Sequence, residues 1–401
     1  MRVAFVHTDF RLYWPARVKA LDEFLKEKGV TLSVVEIAGK GSPYSFDNVS
    51  NKQLFLDWCI LFPDEAMEQI SPDKAVRAVI DKLNKIKPDV VFAGAVAFPS
   101  GAAAIRWCLL NRKPVIIFDN ARLEDVPRAF YINWAKKQLY RLVDAMLIPA
   151  SSHVSTFRYF GLKTEQLFFG INCVDNQFFS DQANIFSSLT VPHNHPYLLA
   201  IGRQVRKKNW AKLISAYIAV RKTDPPNPFD LLFIGDGPEH DVLMNASGDE
   251  INRSIHFLPF KSQQELCVYY KHAEGLVLPS LYGETWGLVV NEAMASGLPV
   301  LVSGKCGCAE TLVKHENNGF VFEPEDQTLI ADVLEKFMSM SHKQRKAMGE
   351  ISKNIIDEWG FERFCKGVWK AIEFVCSENK RSGTLSGKII SNFWNGRYNP
   401  T

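Results

Sequence analysis

The sequence predicts an α/β protein with two domains, each built around a parallel sheet. The chain has 401 residues, which is enough for two or three domains. In the first half, short apolar runs alternate with amphipathic segments, as is typical of parallel strands joined by helices. The alternation starts again at Tyr197, after a polar stretch over 180–196.

The first half supplies a series of short apolar runs that predict strands. They are Arg2–His7, Thr31–Ile37, Val90–Phe92, Pro114–Phe118 and Ala145–Pro149. Between them, Val18, Leu21 and Leu25 recur at helical spacing, and Ser71 followed by Pro72 predicts the start of a second helix. The Gly/Ser/Asn-rich segment over 39–51 predicts a loop.

The polar stretch sets the predicted domain boundaries. We place a first domain over 1–178, a linker over 179–196 and a second domain over 197–376. The second domain ends in an amphipathic helix, Phe361–Cys376, and a tail over 377–401 carries spaced apolar side chains that can dock.

Composition excludes several classes of protein. A net charge of +3 is too small to indicate nucleic-acid binding, and no apolar run approaches the length of a membrane helix. Eight scattered cysteines indicate a reducing compartment, so we expect a cytoplasmic protein. Cys306, Cys308 and His315 lie close enough in sequence for a zinc site, but the alternative is a turn lined by small residues.

Two glutamates eight positions apart, Glu284 and Glu292, form the most informative motif. Glu284 precedes a predicted helix, and Glu292 is expected about two turns into it. The amides of Trp286, Gly287 and Leu288 would lie at the helix N-terminus, where free N–H groups and the helix dipole attract phosphate. The alternative is that both glutamates are solvated charges.

A second motif follows the predicted strand Tyr197–Ile201. Gly202 and Arg203 come at its carboxyl end, where open α/β sheets bind ligands, and Lys208 follows five residues later. Fixed cations there would stabilise charge that grows on a leaving group. Alone, Arg203 and Lys208 could equally be surface charges.

Together these motifs resemble the E-x(7)-E signature of family 4 retaining GT-B glycosyltransferases. The match over the first motif covers Glu284, Gly287, Glu292, Ala293, Gly297, Pro299 and Val300. The resemblance implies two Rossmann-like domains facing a central cleft, with a C-terminal segment, here the tail over 377–401, that can cross back to the first domain. It also implies that Glu284 meets the donor sugar, that Glu292 binds the ribose, and that Arg203 and Lys208 clamp the diphosphate.

Two further segments resemble the donor half of this family. Gly235 lies in a Gly-Asp-Gly-Pro turn after the strand that starts at Leu231. Phe257 and Leu258 lie in the segment that resembles the base-binding loop. With Gly202, Trp286, Gly287 and Leu288, these residues complete the predicted nucleotide-sugar site.

The first domain departs from the family pattern. Relatives often carry a histidine after the strand that corresponds to Pro114–Phe118, whereas this chain has Asp119 or Asn120 at that place. We take Asp119 as the substitute catalytic residue, although a carboxylate cannot act as a neutral imidazole donor. His7, alone at the end of the first strand, is expected to be structural.

A predicted helix mixes aromatic and basic residues over 130–141. Such a composition suits an anionic membrane surface, and several relatives use a first-domain helix to reach lipid-linked acceptors. The alternative is a helix half-buried in its own domain.

The predicted function is transfer of a sugar, with retention, from a nucleotide-diphosphate sugar to a glycan or lipid-linked acceptor in cell-surface polysaccharide or glycolipid synthesis. We expect no cofactor and no metal, because Arg203, Lys208 and the helix amides supply the positive charge. The partners are the donor, the acceptor and an anionic inner membrane face. A sugar-nucleotide epimerase or hydrolase, or a non-catalytic sugar-nucleotide-binding subunit, is the alternative.

Overall fold

The computed structural model describes residues 1–40, 57–125, 127–181, 193–377 and 383–397. The predicted loop beyond residue 40, most of the predicted linker and both ends of the predicted tail lie outside these ranges.

The first sheet has seven strands in the order β3-β2-β1-β4-β5-β6-β7, and every pair is parallel. The strands are β1 Arg2–His7, β2 Thr31–Lys40, β3 Asp57–Ala66, β4 Val90–Ala93, β5 Val115–Phe118, β6 Ala145–Ile148 and β7 Leu167–Phe169. The central strands are buried along their whole length because helices cover the sheet. Strand β3 was not predicted, although it contains the apolar run 58–62; it is a half-buried strand at the edge of the sheet.

Five helices follow these strands in sequence. They are α1 Trp14–Glu27, α2 Pro72–Ile86, α3 Pro99–Asn111, α4 Phe130–Tyr140 and α5 Val154–Tyr159. The predicted start of α2 is present, since the Ser71 hydroxyl accepts a hydrogen bond from the Lys74 amide at 3.3 Å and Pro72 occupies the first turn.

The second sheet has six parallel strands in the order β10-β9-β8-β11-β12-β13. The strands are β8 Tyr197–Ile201, β9 Asp230–Ile234, β10 Ile255–Leu258, β11 Gly275–Leu278, β12 Val300–Ser303 and β13 Gly319–Phe322. The helices around them are α6 Asn176–Ser180, α7 Trp210–Arg221, α8 His240–Ser247, α9 Gln263–His272, α10 Leu288–Ala295, α11 Ala309–Leu312, α12 Gln327–Ser339 and α13 His342–Asp357. The prediction of two Rossmann-like parallel sheets is thus confirmed.

The chain forms two compact units that are not continuous in sequence. One comprises Met1–Leu123, Pro127–Asn172 and Phe361–Thr401, and the other comprises Glu124–Val126 and Cys173–Gly360. Helix α14, Phe361–Ser377, therefore lies in the first unit, whereas we placed residues 361–376 at the end of the second domain. The reason is that α14 packs on α1, β6 and β7, where it buries its apolar stripe.

Helix α15, Leu385–Phe393, also belongs to the first unit and packs on α4 and α3. Arg106 of α3 fastens its end, since the guanidinium donates to the carbonyls of Ser391 and Trp394, both at 2.9 Å. Across the described ranges, none of the helices combines the length and the apolar character that a membrane crossing requires.

Candidate active site

The loop after β8 presents a cluster of cations at the carboxyl end of the second sheet. Gly202 and Arg203 follow the strand, and a short 3-10 turn, Arg206–Lys208, leads to α7. The Arg203 carbonyl accepts a hydrogen bond from the Trp210 indole at 2.9 Å, which ties the loop to the start of the helix.

Asn209, directly after Lys208, occupies a backbone position that usually favours glycine. Its backbone is left-handed, with φ 61° and ψ 27°, a conformation that asparagine tolerates better than most residues. Its side-chain amide donates to the Pro324 carbonyl at 2.8 Å. The turn that carries Lys208 therefore keeps its geometry without glycine.

The two motifs of the sequence meet through one ion pair. The Lys208 ammonium donates a hydrogen bond to Glu284 Oε2, and the Ser280 hydroxyl donates to the same oxygen at 3.1 Å. Burial acts to raise the pKa of the Glu284 carboxyl, but the Lys208 charge and the hydrogen bonds of both partners outweigh it. The pKa lies below its ordinary value, so Glu284 is ionised at neutral pH.

A third cation, Lys207, completes the cluster. Burial is the main cause that lowers the pKa of its ammonium, and the nearby charges of Lys208 and Arg203 lower it further, while Glu284 opposes the shift. The charges of Arg203, Lys207 and Lys208 thus act on one another, while the carboxylates of Glu284 and Asp125 oppose their effect on Lys207. A group with two negative charges, such as a diphosphate, would relieve their mutual repulsion.

Glycine is required where the loops after β8 and β9 approach each other. Gly235 has φ 134°, and a Cβ there would lie 2.3 Å from the Gly202 carbonyl oxygen. Gln204 is buried beneath the same turn and donates to the Gly235 carbonyl at 2.8 Å. The two predicted glycines therefore let two backbone loops pack side by side.

The loop between Glu284 and α10 is held by backbone hydrogen bonds from the segment that follows β12. The Gly307 amide donates to the Glu284 carbonyl at 2.9 Å, and the Cys308 amide donates to the Trp286 carbonyl at 3.2 Å. The Trp286 ring is buried, and its indole donates to Asn291 at 2.9 Å. Trp286 therefore anchors the loop from inside the domain.

The helix begins at Leu288, with Gly287 as its N-cap in a left-handed conformation at φ 104°. Glu292 is consequently the fifth residue of α10, a little over one turn from its start and not two turns. Its side chain is only 1% exposed, and Oε2 accepts a hydrogen bond from the Tyr270 hydroxyl at 2.6 Å. Tyr270 thereby fixes the orientation of this carboxylate.

The predicted base-binding residues lie at the end of β10. Phe257 stacks on Phe233 of β9 with ring centroids 4.9 Å apart, and His240 packs edge-on to it at 5.7 Å. The Leu258 carbonyl accepts a hydrogen bond from the Gly235 amide at 3.1 Å. Both residues are half-buried beside the glycine turn.

Asp119 lies in the first unit, directly after β5. Its carboxylate accepts a hydrogen bond from the Tyr140 hydroxyl and another from the Ala121 amide at 2.9 Å. The Tyr140 hydroxyl is fully buried, and burial followed by the Asp119 charge raises its pKa well above the ordinary value. These bonds tie the loop after β5 to α4.

His7 lies at the end of β1, packed edge-on against the aromatic rings of Phe10, Trp14 and Phe118 with centroids about 5 Å apart. Burial is the main cause that lowers its pKa to about 4. Trp14, the first residue of α1, thus packs on its own domain.

Sequence reasoning did not assign Lys207, Ser280 or Tyr270 to the site. Lys207 stands beside the matched Lys208, and Ser280 belongs to the Pro-Ser pair at the start of the glutamate motif. The positions of both residues within the motifs could be read from the sequence, but nothing in the sequence indicated a role for them. Tyr270 had no local signal, because its partner Glu292 is 22 positions away.

Cys306, Cys308 and His315 do not form a zinc site. Both cysteines are buried, whereas the His315 side chain is about half exposed. Among the described residues, the three do not come together as a metal-ligand group.

The two parallel sheets define the class: a protein with two Rossmann-like domains, as in the GT-B fold. Residues 181–355 match the sequence model of the family described as glycosyl transferases group 1. The match lies in the second half of the chain, and the resemblance to family 4 glycosyltransferases inferred from the E-x(7)-E motif is confirmed.

Individual relatives agree with this assignment. The chain is 27% identical over 208 residues to an uncharacterized glycosyltransferase of Methanocaldococcus jannaschii, covering 51% of this chain and 52% of the relative. It is 28% identical over 189 residues to the D-inositol 3-phosphate glycosyltransferase of Corynebacterium urealyticum, covering 46% and 44%. The chain thus spans about half the length of these curated relatives.

The whole fold has counterparts among solved structures. The Anabaena HepE protein in complex with UDP and glucose superposes with a TM-score of 0.71 and 15% identity, covering 93% of this chain and 99% of that one. At this identity the likeness establishes the GT-B fold.

Proposed function

We propose that the protein is a retaining glycosyltransferase that takes its sugar from a nucleotide-diphosphate donor. The observation that carries the proposal is the ion pair between Lys208 and Glu284, which joins the two donor motifs beside Arg203 and Lys207. Family membership and the UDP named in the HepE structure support the same donor class.

The roles follow from the charges. Arg203, Lys207 and Lys208 bind the diphosphate and stabilise its charge as the bond between the sugar C1 and the phosphate oxygen breaks. The acceptor oxygen forms the new bond to C1 on the same face and gives its proton to the leaving phosphate oxygen. No side chain then needs to act as the general base.

Two carboxylates orient the donor. Glu284, ionised and held by Lys208, accepts hydrogen bonds from sugar hydroxyls, and Glu292, oriented by Tyr270, accepts them from the ribose. The residues from Trp286 to Leu288 shape the phosphate end, and Phe257 with Leu258 receives the base. We also propose Asp119 as a catalytic residue, and Tyr140 sets the orientation of its carboxylate.

We further propose a lipid-linked or glycan acceptor reached from the inner face of a cytoplasmic membrane, in polysaccharide or glycolipid synthesis. Helix α4 exposes Phe130 (84%) and Trp134 (53%), and α15, which packs on α4, exposes Phe393 (83%). Exposed Arg141 and Lys388 stand on the same two segments. Large apolar side chains beside cations suit an anionic lipid surface.

The donor assignment is tested with a panel of nucleotide-diphosphate sugars. A true donor at 100 times its dissociation constant should stabilise the protein by about 2.7 kcal/mol, seen as a higher melting temperature. That donor should also label an acceptor extract, and excess chelator should leave transfer near its control rate, because the cations replace a metal.

The outcomes separate the alternatives. Free nucleotide released without any labelled acceptor would favour a hydrolase or epimerase. Binding without turnover in any extract would favour a non-catalytic subunit. A panel that gives neither stabilisation nor turnover would contradict the donor class itself.

A further inference from the structure

Two histidines and an aspartate converge at the amino edge of the second sheet. His193 precedes β8, Asp230 is the first residue of β9, and His256 is the second residue of β10. Asp230 Oδ2 lies 2.7 Å from His193 Nε2 and 3.4 Å from His256 Nε2. One ligand atom from each residue falls within 4.8 Å of the others.

This cluster is separate from the donor loops. The cationic site follows the carboxyl ends of the strands, whereas Asp230 starts β9. A strand of five residues at about 3.3 Å per residue puts roughly 13–17 Å between the two edges.

His256 supplies an observation that points to a ligand. Its Nε2 is buried and, within the described part of the chain, has no hydrogen-bond partner of proper geometry. A neutral imidazole with an unused nitrogen is the form that binds metal.

We propose that His193, His256 and Asp230 bind one divalent transition-metal ion of the zinc type at this edge of the sheet. Two imidazoles and a carboxylate are ligands that such ions prefer, and water can complete the coordination. Ligands at about 2.1 Å from a tetrahedral ion are about 3.4 Å apart. The distance between Asp230 and His256 is 3.4 Å, and the 2.7 Å distance between Asp230 and His193 would lengthen when an ion binds.

The ion would have a structural role. It would link the segment before β8 to β9 and β10, and so hold the chain where it enters the second sheet. The competing account is a metal-free cluster in which the Asp230 carboxylate joins two histidines by hydrogen bonding alone.

The test is calorimetric titration of Zn²⁺ into untagged, chelator-treated protein, with thermal melting in parallel. The wild type should bind one equivalent and melt at a higher temperature with zinc. Asp230→Asn keeps the side-chain shape and His256→Gln replaces the imidazole by an uncharged polar side chain, and each should weaken binding roughly tenfold or more. His195→Ala is the matched control, because His195 is exposed and its ring lies 6.1 Å from that of His193.

A second readout covers variants that fold poorly. Co²⁺ bound by the wild type should give a visible absorption band, and added Zn²⁺ should abolish that band. The His195→Ala variant should show the same band. The proposal is overturned if the wild type binds no zinc, or if binding persists unchanged in both Asp230→Asn and His256→Gln. An equal loss in His195→Ala would also overturn it, since the metal would then lie elsewhere.

Discussion

Lys208 and Glu284 are 76 positions apart in sequence, yet their charged groups are joined by a direct hydrogen bond. The pair connects the loop after β8 to the loop that precedes α10, and Ser280 supports it from the end of β11. Lys207 and Arg203 lie close to this pair, so the loop after β8 places further positive charge beside Glu284.

Arg203→Ala should lower kcat/KM by about 100-fold or more, on the scale of removing one donor to a developing anion. The fold should survive, because the Trp210 bond to this loop uses the Arg203 backbone and not its side chain. The measurement is steady-state kinetics with the identified donor. Arg206→Ala is the control, since Arg206 is exposed on the same turn, and equal effects of the two would remove Arg203 from the site.

Glu292→Gln should weaken the binding of free nucleoside diphosphate by about 1.5–3 kcal/mol, the range for a hydrogen bond to a charged group. Tyr270→Phe, which only frees the carboxylate to reorient, should cost less, about 0.5–1.5 kcal/mol. Calorimetry measures both, with exposed Glu310→Gln as control. Unchanged affinity in Glu292→Gln contradicts the ribose assignment.

Phe130→Ser with Trp134→Ser should reduce binding to anionic vesicles, because both side chains are exposed apolar groups on α4. Lys137→Glu with Arg141→Glu should reduce it too, at about 1 kcal/mol for each cation near the surface. Lys136, which also lies on this helix, is unsuitable, since burial lowers its pKa and Asp119 is near it.

Co-sedimentation with anionic and neutral vesicles, at low and high salt, measures these effects. Leu329→Ser is the control, because Leu329 is an exposed apolar residue of the other unit. If vesicle binding does not change with lipid charge, with salt or with any of the α4 substitutions, the helix has no membrane role. A soluble acceptor would then be favoured.

His7 should make the stability depend on pH. Its pKa is about 4 in the folded protein and 6.5 in the unfolded chain, so the unfolded chain binds more protons between these values. The free energy of unfolding should be highest above pH 6.5 and should fall as the pH drops towards 4. By pH 5, His7 should account for a loss of about 2 kcal/mol.

Urea unfolding between pH 5 and pH 7 measures this loss. His7→Gln removes the titrating group and should reduce the pH dependence by about 2 kcal/mol. His342→Gln, which changes an exposed histidine, should not reduce it. The same slope in wild type and His7→Gln would show that His7 does not carry the effect.

The periodicity of apolar residues along the sequence determines most of the strands and helices of this fold. Short buried strands and amphipathic helices have their own periodicities, so two parallel sheets could be predicted without any long-range information. The spacing from Arg203 to Lys208 and that from Glu284 to Glu292 are each set by one turn or one short helix. In a motif of that length, the local backbone conformation alone fixes the distance between the two side chains.

Only the tertiary structure decided which distant residues meet. The strand order β10-β9-β8-β11 brings together loops that are far apart in sequence, so it pairs Lys208 with Glu284 and gathers His193, Asp230 and His256 at the opposite edge. In the same way, α14 returns to the first unit because its apolar stripe finds cover on β6 and β7. The physical reason is that no local periodicity records which strand lies beside which, since that choice depends on the burial of whole faces.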